Sequence, residues 1–298
     1  MTDVNTRCGF CAIIGAPNAG KSTLVNQLAG AKVSIVSHKV QTTRARLRAI
    51  FVEGNAQVVV VDTPGIFKPR RKLDEAMVES AWGGASEADA VVLLADARLG
   101  LNEAVTAILD GLKASGARAV LALNKVDLVK REALLDLARA FNEAFPFTDT
   151  FMISALTGSG VMDLRRKLAA LMPEGPWLYP EDQTADVPLR FLASEVTREK
   201  VFERLHEELP YASTVETEAW EERKDGSVKI TQVIYVERDG QKAIVLGKGG
   251  QTVKLLGQLA RAELEEMLER RVHLFLFVKV REKWAADPER LRMMGLGG

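Results

Sequence analysis

One stretch of the chain is built for phosphate chemistry: Gly15-Ala16-Pro17-Asn18-Ala19-Gly20-Lys21-Ser22. It fits G-x-x-x-x-G-K-[ST], a pattern that works only behind a strand and at the opening of a helix. In that setting the loop N–H groups face inward around a phosphate, and the helix N-terminus adds positive potential. Lys21 can then bridge the β- and γ-phosphates of a nucleoside triphosphate. Ser22 can ligate Mg²⁺, and Thr23 belongs to the same binding stretch.

Three further segments come in order along the chain. Asp62-Thr63-Pro64-Gly65 closes the apolar run Val58–Val61. Asp62 suits a water-mediated hold on the magnesium, and the Gly65 N–H suits a sensor of the γ-phosphate. Asn124-Lys125-Val126-Asp127 closes another apolar run and is where the base is chosen. Guanine offers N1–H and N2–H₂ side by side, and the Asp127 carboxylate can accept both. Adenine offers neither, and an unpaired carboxylate in that place costs a few kcal/mol, about enough to reject ATP. Lys125 can lie along the base plane and Asn124 can tie its loop to the first one. In Ser154-Ala155-Leu156 a backbone N–H can meet the guanine O6. Between the first two segments, Gln41-Thr42-Thr43-Arg44 offers a threonine to the magnesium. Thr43 is preferred to Thr42.

These motifs predict a site for GTP or GDP with Mg²⁺, with Lys21, Thr43, Gly65 and Asn18 nearest the chemistry. The residue after Gly65 is Ile66, which cannot orient a water as the glutamine common there does. Slow intrinsic turnover is the expectation. Asn18 has two readings left open: its amide ligates a K⁺ ion beside the phosphates, or it only braces the loop.

The elements that must position these residues alternate. Phe10–Ile14, Val58–Val61, Val91–Ala95, Ala119–Leu123 and Phe151–Ile153 read as buried strands. Ser22–Leu28, Glu103–Leu112, Glu132–Phe145 and Val161–Leu171 read as helices between them. The expectation is an α/β P-loop GTPase domain over 1–172, with a mostly parallel sheet and helices on both faces. Residues 173–187, rich in proline at the start, are expected to be a linker. The basic stretch Phe67–Lys72 and a helix around Leu73–Trp82 are expected to carry the nucleotide state to the second domain.

Residues 188–298 read as an α+β domain with a tail. Leu189–Ala193 is a strand candidate and Glu199–Glu208 a helix. Two strands flank the turn Asp225-Gly226, and the sheet is expected to be antiparallel. Gly247-Lys248-Gly249-Gly250 then leads into a helix from Thr252 to about Glu269 and a strand Val272–Val280. A G-x-x-G loop opening a helix lets backbone approach four nucleotides of single-stranded RNA, the KH mode. Lys248 and Lys254 supply a local basic face, with Arg261 further on.

Bulk charge favours no polyanion. Lys+Arg and Asp+Glu both number 40, and from residue 187 onward there are nineteen of each. No apolar run is long enough for a membrane helix. The polar opening Met1–Arg7 is not expected to be a signal peptide, so a cytoplasmic protein is expected. Cys8 and Cys11, the only cysteines, form a C-x-x-C at a strand start, where neither a redox helix nor further zinc ligands are at hand.

Taken together the motifs resemble the Era family of GTPases over nearly the whole length. The marks are Gly15–Ser22, Gln41–Arg44, Asp62–Gly65, Asn124–Asp127 and Gly247–Gly250. A further mark is the tail with Val278-Lys279-Val280, Trp284, Asp287-Pro288, Leu291-Arg292 and Gly295-Leu296. The joining of a GTPase domain to one C-terminal KH domain is the specific feature. The resemblance implies a factor that binds 16S ribosomal RNA near its 3′ end and acts in 16S processing and 30S subunit biogenesis; a monomer is the default expectation. It also implies that GTP favours the RNA-bound form, that Ile66 is normal, and that part of the protein sits peripherally at the inner membrane. Three rivals stand beside it. One is a signalling GTPase whose second domain binds a protein or membrane. A tRNA-modifying relative would need a C-terminal cysteine and a folate domain, and Asp127 opposes an ATPase.

Overall fold

The computed structural model describes all residues except 1–4, 38, 40, 41, 70, 207, 289–295, 297 and 298. Gln41, Arg70, Leu291, Arg292 and Gly295, singled out above, lie outside the described residues. The chain divides into two compact units. The first comprises Met1–Ser34, Thr43–Asp186 and Met294–Gly298, and the second Ile35–Thr42 and Val187–Met293.

In the first unit, valine-, leucine- and alanine-rich runs become strands buried on both faces, which only a helix-covered sheet provides. The strands are β1 (Arg7–Ile14), β2 (Leu47–Glu53), β3 (Ala56–Asp62), β4 (Ala90–Asp96), β5 (Val120–Asn124), β6 (Thr150–Met152) and β7 (Ala185–Asp186). The helices are α1 (Lys21–Ala29), α2 (Lys72–Ser86), α3 (Glu103–Ser115), α4 (Arg131–Ala144) and α5 (Val161–Leu171). The sheet order is β6-β5-β4-β1-β3-β2-β7. Strands β1, β3, β4, β5 and β6 run parallel, while β2 pairs antiparallel with β3 and with β7. All the phosphate and base motifs lie at the C-terminal ends of parallel strands, where α/β sheets place ligands.

The segment expected to be a linker is sewn to this unit. The Gln57 side chain, fully buried, accepts the Leu178 and Tyr179 N–H groups at 2.9 and 3.0 Å and donates to the Tyr179 carbonyl at 2.8 Å. The Trp177 indole donates to the Asn55 carbonyl, and β7 adds an edge strand.

The second unit holds α6 (Leu189–Arg204), β8 (Ser213–Glu222), β9 (Val228–Val236), α7 (Asp239–Leu246), α8 (Gln251–Leu268) and β10 (Val272–Val280). Three expectations are corrected here. Leu189–Ala193 is the opening of α6, not a strand. Leu192, Ala193, Val196, Val201 and Phe202 are buried on it at helical spacing, so burial by the helix outweighs the β-like run. The sheet, ordered β10-β9-β8, is mixed rather than antiparallel. β8 and β9 form the expected hairpin, but β10 runs parallel to β9, because the α7–α8 crossover returns the chain to the same end. A short helix, α7, also precedes the glycine loop where only a strand-like region was expected.

Residues 35–42 cluster with this unit. The Val36 N–H donates to Glu199 at 2.7 Å, the Lys39 ammonium donates to the carbonyls of Phe202 and Leu205, and Arg198 donates to the Thr42 carbonyl. Arg198 is itself paired with Glu195 one turn back on α6.

Candidate nucleotide and RNA sites

The first loop joins β1 to α1. Gly20 is in the left-handed region with φ 98°, and a Cβ there would lie 2.4 Å from the Asn124 amide nitrogen. Only glycine lets the two loops approach so closely. Asn18 also takes a left-handed backbone, φ 61°, and its side chain is exposed. Lys21 is buried with its ammonium on the Gly15 and Ala16 carbonyls at 3.1 and 2.9 Å. Burial pulls its pKa down to about 8, against the pull of Asp62.

Four oxygen-bearing side chains converge at the mouth of this loop. The Ser22 and Thr43 hydroxyls are 2.7 Å apart, and Thr43 donates to Asp62 Oδ2 at 3.3 Å. Ser34 also donates to Oδ2, at 2.6 Å. Burial pushes the Asp62 carboxyl up, and the hydroxyls and Lys21 oppose the shift. Asp62 Oδ1 is buried without a hydrogen-bond partner. An orphaned buried carboxylate oxygen beside two hydroxyls is a hard-oxygen donor set that suits Mg²⁺. The Thr42 hydroxyl is committed elsewhere, to the Lys39 carbonyl at 2.7 Å.

Behind Asp62, the Thr63 hydroxyl bonds the Ile13 carbonyl at 2.7 Å and the Ile66 N–H bonds the Gly15 carbonyl at 3.0 Å. Pro64 and Gly65 lie between these anchors, and a Cβ on Gly65 would come within 3.0 Å of the Pro17 nitrogen. The Ile66 side chain is buried in the core beneath the loop.

The base-side motif leaves β5. The Asn124 amide donates to the Ala19 carbonyl at 2.8 Å and accepts the Ala155 N–H at 2.9 Å, joining three loops. Asp127 is exposed in the short turn Val126–Leu128. The Ser154 N–H is taken by the Ser159 carbonyl. Leu156 is 80% exposed at the tip of the turn. Sequence reasoning missed Asp96, which closes β4 and pairs with Lys125, and Arg98, which pairs with Asp96. The signal was present: a carboxylate closing a buried parallel strand beside the site, as Asp62 does.

In the second unit, Gly247, Gly249 and Gly250 all have positive φ. A Cβ on Gly249 would meet nothing within 4 Å, so its backbone lies open to solvent at the mouth of α8. Lys248 and Lys254 are exposed beside it. Ile244 on α7 and Leu255 on α8 are 61% and 43% exposed and flank the loop with apolar surface. Sequence reasoning missed both, because a helical stripe shows no exposure. No helix among the described residues is long and apolar enough to cross a membrane.

A phosphate loop, an aspartate closing the neighbouring strand and an N-K-x-D motif on one mostly parallel sheet define a P-loop GTPase, and a glycine loop opening a helix beside a three-stranded sheet defines a KH domain. The comparisons agree. Residues 10–125 match the family model described as 50S ribosome-binding GTPase, and residues 208–285 match the KH domain model. The GTPase Era of Brucella suis biovar 1 (strain 1330) is 65% identical over 291 residues, covering 98% of this chain and 94% of that one. That of Rhizobium meliloti (strain 1021) is 65% identical over 293 residues, with the same coverage. Two solved structures match with a TM-score of 0.92. They are a point variant of Aquifex aeolicus Era bound to GDP·AlF4⁻, 36% identical, and Era in complex with MgGDPNP and nucleotides 1506–1542 of 16S ribosomal RNA, 37% identical. Each covers 97% of this chain and 99% of its own. The chain therefore belongs to the Era family of GTPases.

Proposed function

We propose that this GTPase is a nucleotide-controlled RNA-binding factor. In this reading its Gly247–Gly250 loop grips 16S ribosomal RNA near the 3′ end, and the protein acts in 16S processing and 30S subunit biogenesis. The observation that carries the reading is the bare, positive-φ backbone of Gly249 at the opening of α8, with Lys248 and Lys254 exposed beside it. Such a loop brings N–H groups to phosphates with no side chain in the way. The solved relative holding nucleotides 1506–1542 supports the choice of RNA. Ile244 and Leu255 would give the bases an apolar floor.

In the nucleotide site, Gly15–Thr23 cradles the phosphates and Lys21 swings from two carbonyls onto the β- and γ-phosphate oxygens. Ser22 and Thr43 would hold Mg²⁺ directly and Asp62 through water. Bound there, the ion neutralises charge that builds on the phosphate oxygens. Gly65 reports the γ-phosphate through its N–H. Asn124, Lys125 and Asp127 with residues 154–156 select guanine. Ile66 leaves the attacking water to be placed by backbone, by a partner, or by a K⁺ ion on Asn18. The nucleotide state passes to RNA binding through residues 35–42, which lead into Thr43 and of which Val36, Lys39 and Thr42 bond to α6 and its C-terminal end, together with Phe67–Lys72 and α2. We further propose a monomer in the cytoplasm with some peripheral contact at the inner membrane.

The test is binding of the protein, loaded with a non-hydrolysable GTP analogue, to a short RNA matching the 3′ end of 16S ribosomal RNA. A scrambled RNA and Gly249→Asp serve as controls, and GDP-loaded protein gives the coupling. Tight binding that both controls abolish and that GDP weakens is expected. No binding with hydrolysis intact would overturn the reading in favour of a signalling switch with a protein or membrane partner. Equal affinity in both nucleotide states would refute the coupling.

A further inference from the structure

Asp96 closes β4 beside the base-side loop and belongs to none of the nucleotide motifs. Its side chain is 6% exposed and takes three donors from Arg98: the backbone N–H and Nε on Oδ1, both at 3.0 Å, and Nη2 on Oδ2 at 2.6 Å. Oδ2 also faces the Lys125 ammonium at 2.8 Å. That same ammonium donates to the Asn18 carbonyl at 2.6 Å. Lys125 starts from a left-handed backbone, φ 65°, so both ends of its side chain are fixed. Although it faces a base site, it is only 24% exposed.

We propose that Asp96 is a positioning residue for guanine nucleotides: it pins Lys125 against the first loop so that the lysine stem lies where the base plane packs, and Arg98 in turn pins Asp96. The physical gain is preorganisation. A free lysine side chain carries rotamer entropy that binding would otherwise remove. The fork of Arg98 matters because a lone carboxylate facing one ammonium can rotate with it, whereas a carboxylate held by three further donors cannot. The arrangement also joins two loops that touch opposite ends of the nucleotide, Asn18 at the phosphates and Lys125 at the base. The inference rests on the reading of Asn124–Asp127 as the base-selecting motif and deepens it.

A double-mutant cycle in the full-length protein tests it. Dissociation constants and off-rates for GDP and a GTP analogue would be measured for D96N, K125M, R98A, D96N/K125M and R98A/K125M. D96N is expected to weaken both nucleotides by the same factor, about tenfold, through faster release. R98A, which removes a side chain that is 45% exposed, is expected to weaken them about threefold. Neither substitution should weaken binding further once Lys125 is methionine. A role in stability alone would lower affinity in both backgrounds alike, and losses that multiply in the K125M background would overturn the proposal. So would affinity within about twofold of wild type in D96N or, should D96N not fold, in R98A. If K125M itself binds normally, the base-side reading of Lys125 falls and the proposal with it. If K125M is weak while D96N and R98A are normal, only the proposal falls.

Discussion

The hydroxyl oxygens of Ser22 and Thr43 stand 2.7 Å apart, although the two residues are 21 positions apart in the chain. Both face Asp62, whose Oδ1 has no partner. The neighbouring Thr42 spends its hydroxyl on a carbonyl three residues back. Thr43→Ala is therefore expected to slow single-turnover GTP hydrolysis by about one to two orders of magnitude. Thr42→Ala should stay within about threefold. Equal losses would mean that the two threonines exchange roles when nucleotide binds.

In the proposed site, base choice falls to a single carboxylate, that of Asp127. Asp127→Asn replaces an acceptor of two guanine donors with a group that can donate, and should weaken GTP on the order of a hundredfold. Xanthine carries a carbonyl where guanine has its amino group, so the variant should bind the xanthine nucleotide better than wild type does. Competition against a fluorescent GDP analogue reads both effects, and unchanged preference would remove Asp127 from base selection.

Ile66 occupies the place of a water-orienting glutamine, yet its side chain is 7% exposed and packed in the core. Restoring the amide by Ile66→Gln should not accelerate hydrolysis. It should instead cost about 1–3 kcal/mol of stability, since an amide is placed among apolar neighbours. Thermal unfolding and single-turnover rates on the same preparation check this. A faster variant would show that the side chain can turn outward.

Asp96 gives the pH dependence its sign. Burial alone would raise its pKa, but Arg98 and Lys125 outweigh it and hold the carboxyl down at about 2. Its folded pKa lies below the unfolded value, so its contribution to stability is complete above about pH 4 and is lost as pH falls through about 2. Wild type should thus be more stable than D96N at neutral pH, and the two should converge in acid. Denaturant titrations at several pH values between about 2 and 7 follow the difference. A gap that persists at the acid end would place the effect of D96N in packing rather than charge.

The nucleotide half was legible because its chemistry is local. A glycine-rich loop, an aspartate and an asparagine–lysine pair each close an apolar run, and the runs mark strands whatever their order. What resisted reading depended on partners distant in sequence. Leu189–Ala193 looks like a strand until its helical burial is known. The direction of β10 depends on two helices between it and β9. Gln57 sits mid-strand with nothing local to show that it holds Leu178 and Tyr179. Asp96 escapes notice because no motif names the acid that closes its strand.

The two cysteines of β1 have a practical consequence. Both are buried and unpaired, and burial pushes the Cys11 thiol up to about 12, far from a reactive thiolate. The native protein should therefore take up almost no maleimide in minutes at neutral pH. A cysteine introduced at Lys248 or Asn18, both exposed, should then accept a fluorophore at that position alone. The surface is blank to thiol reagents, so each unit can carry its own dye without altering the native sequence elsewhere.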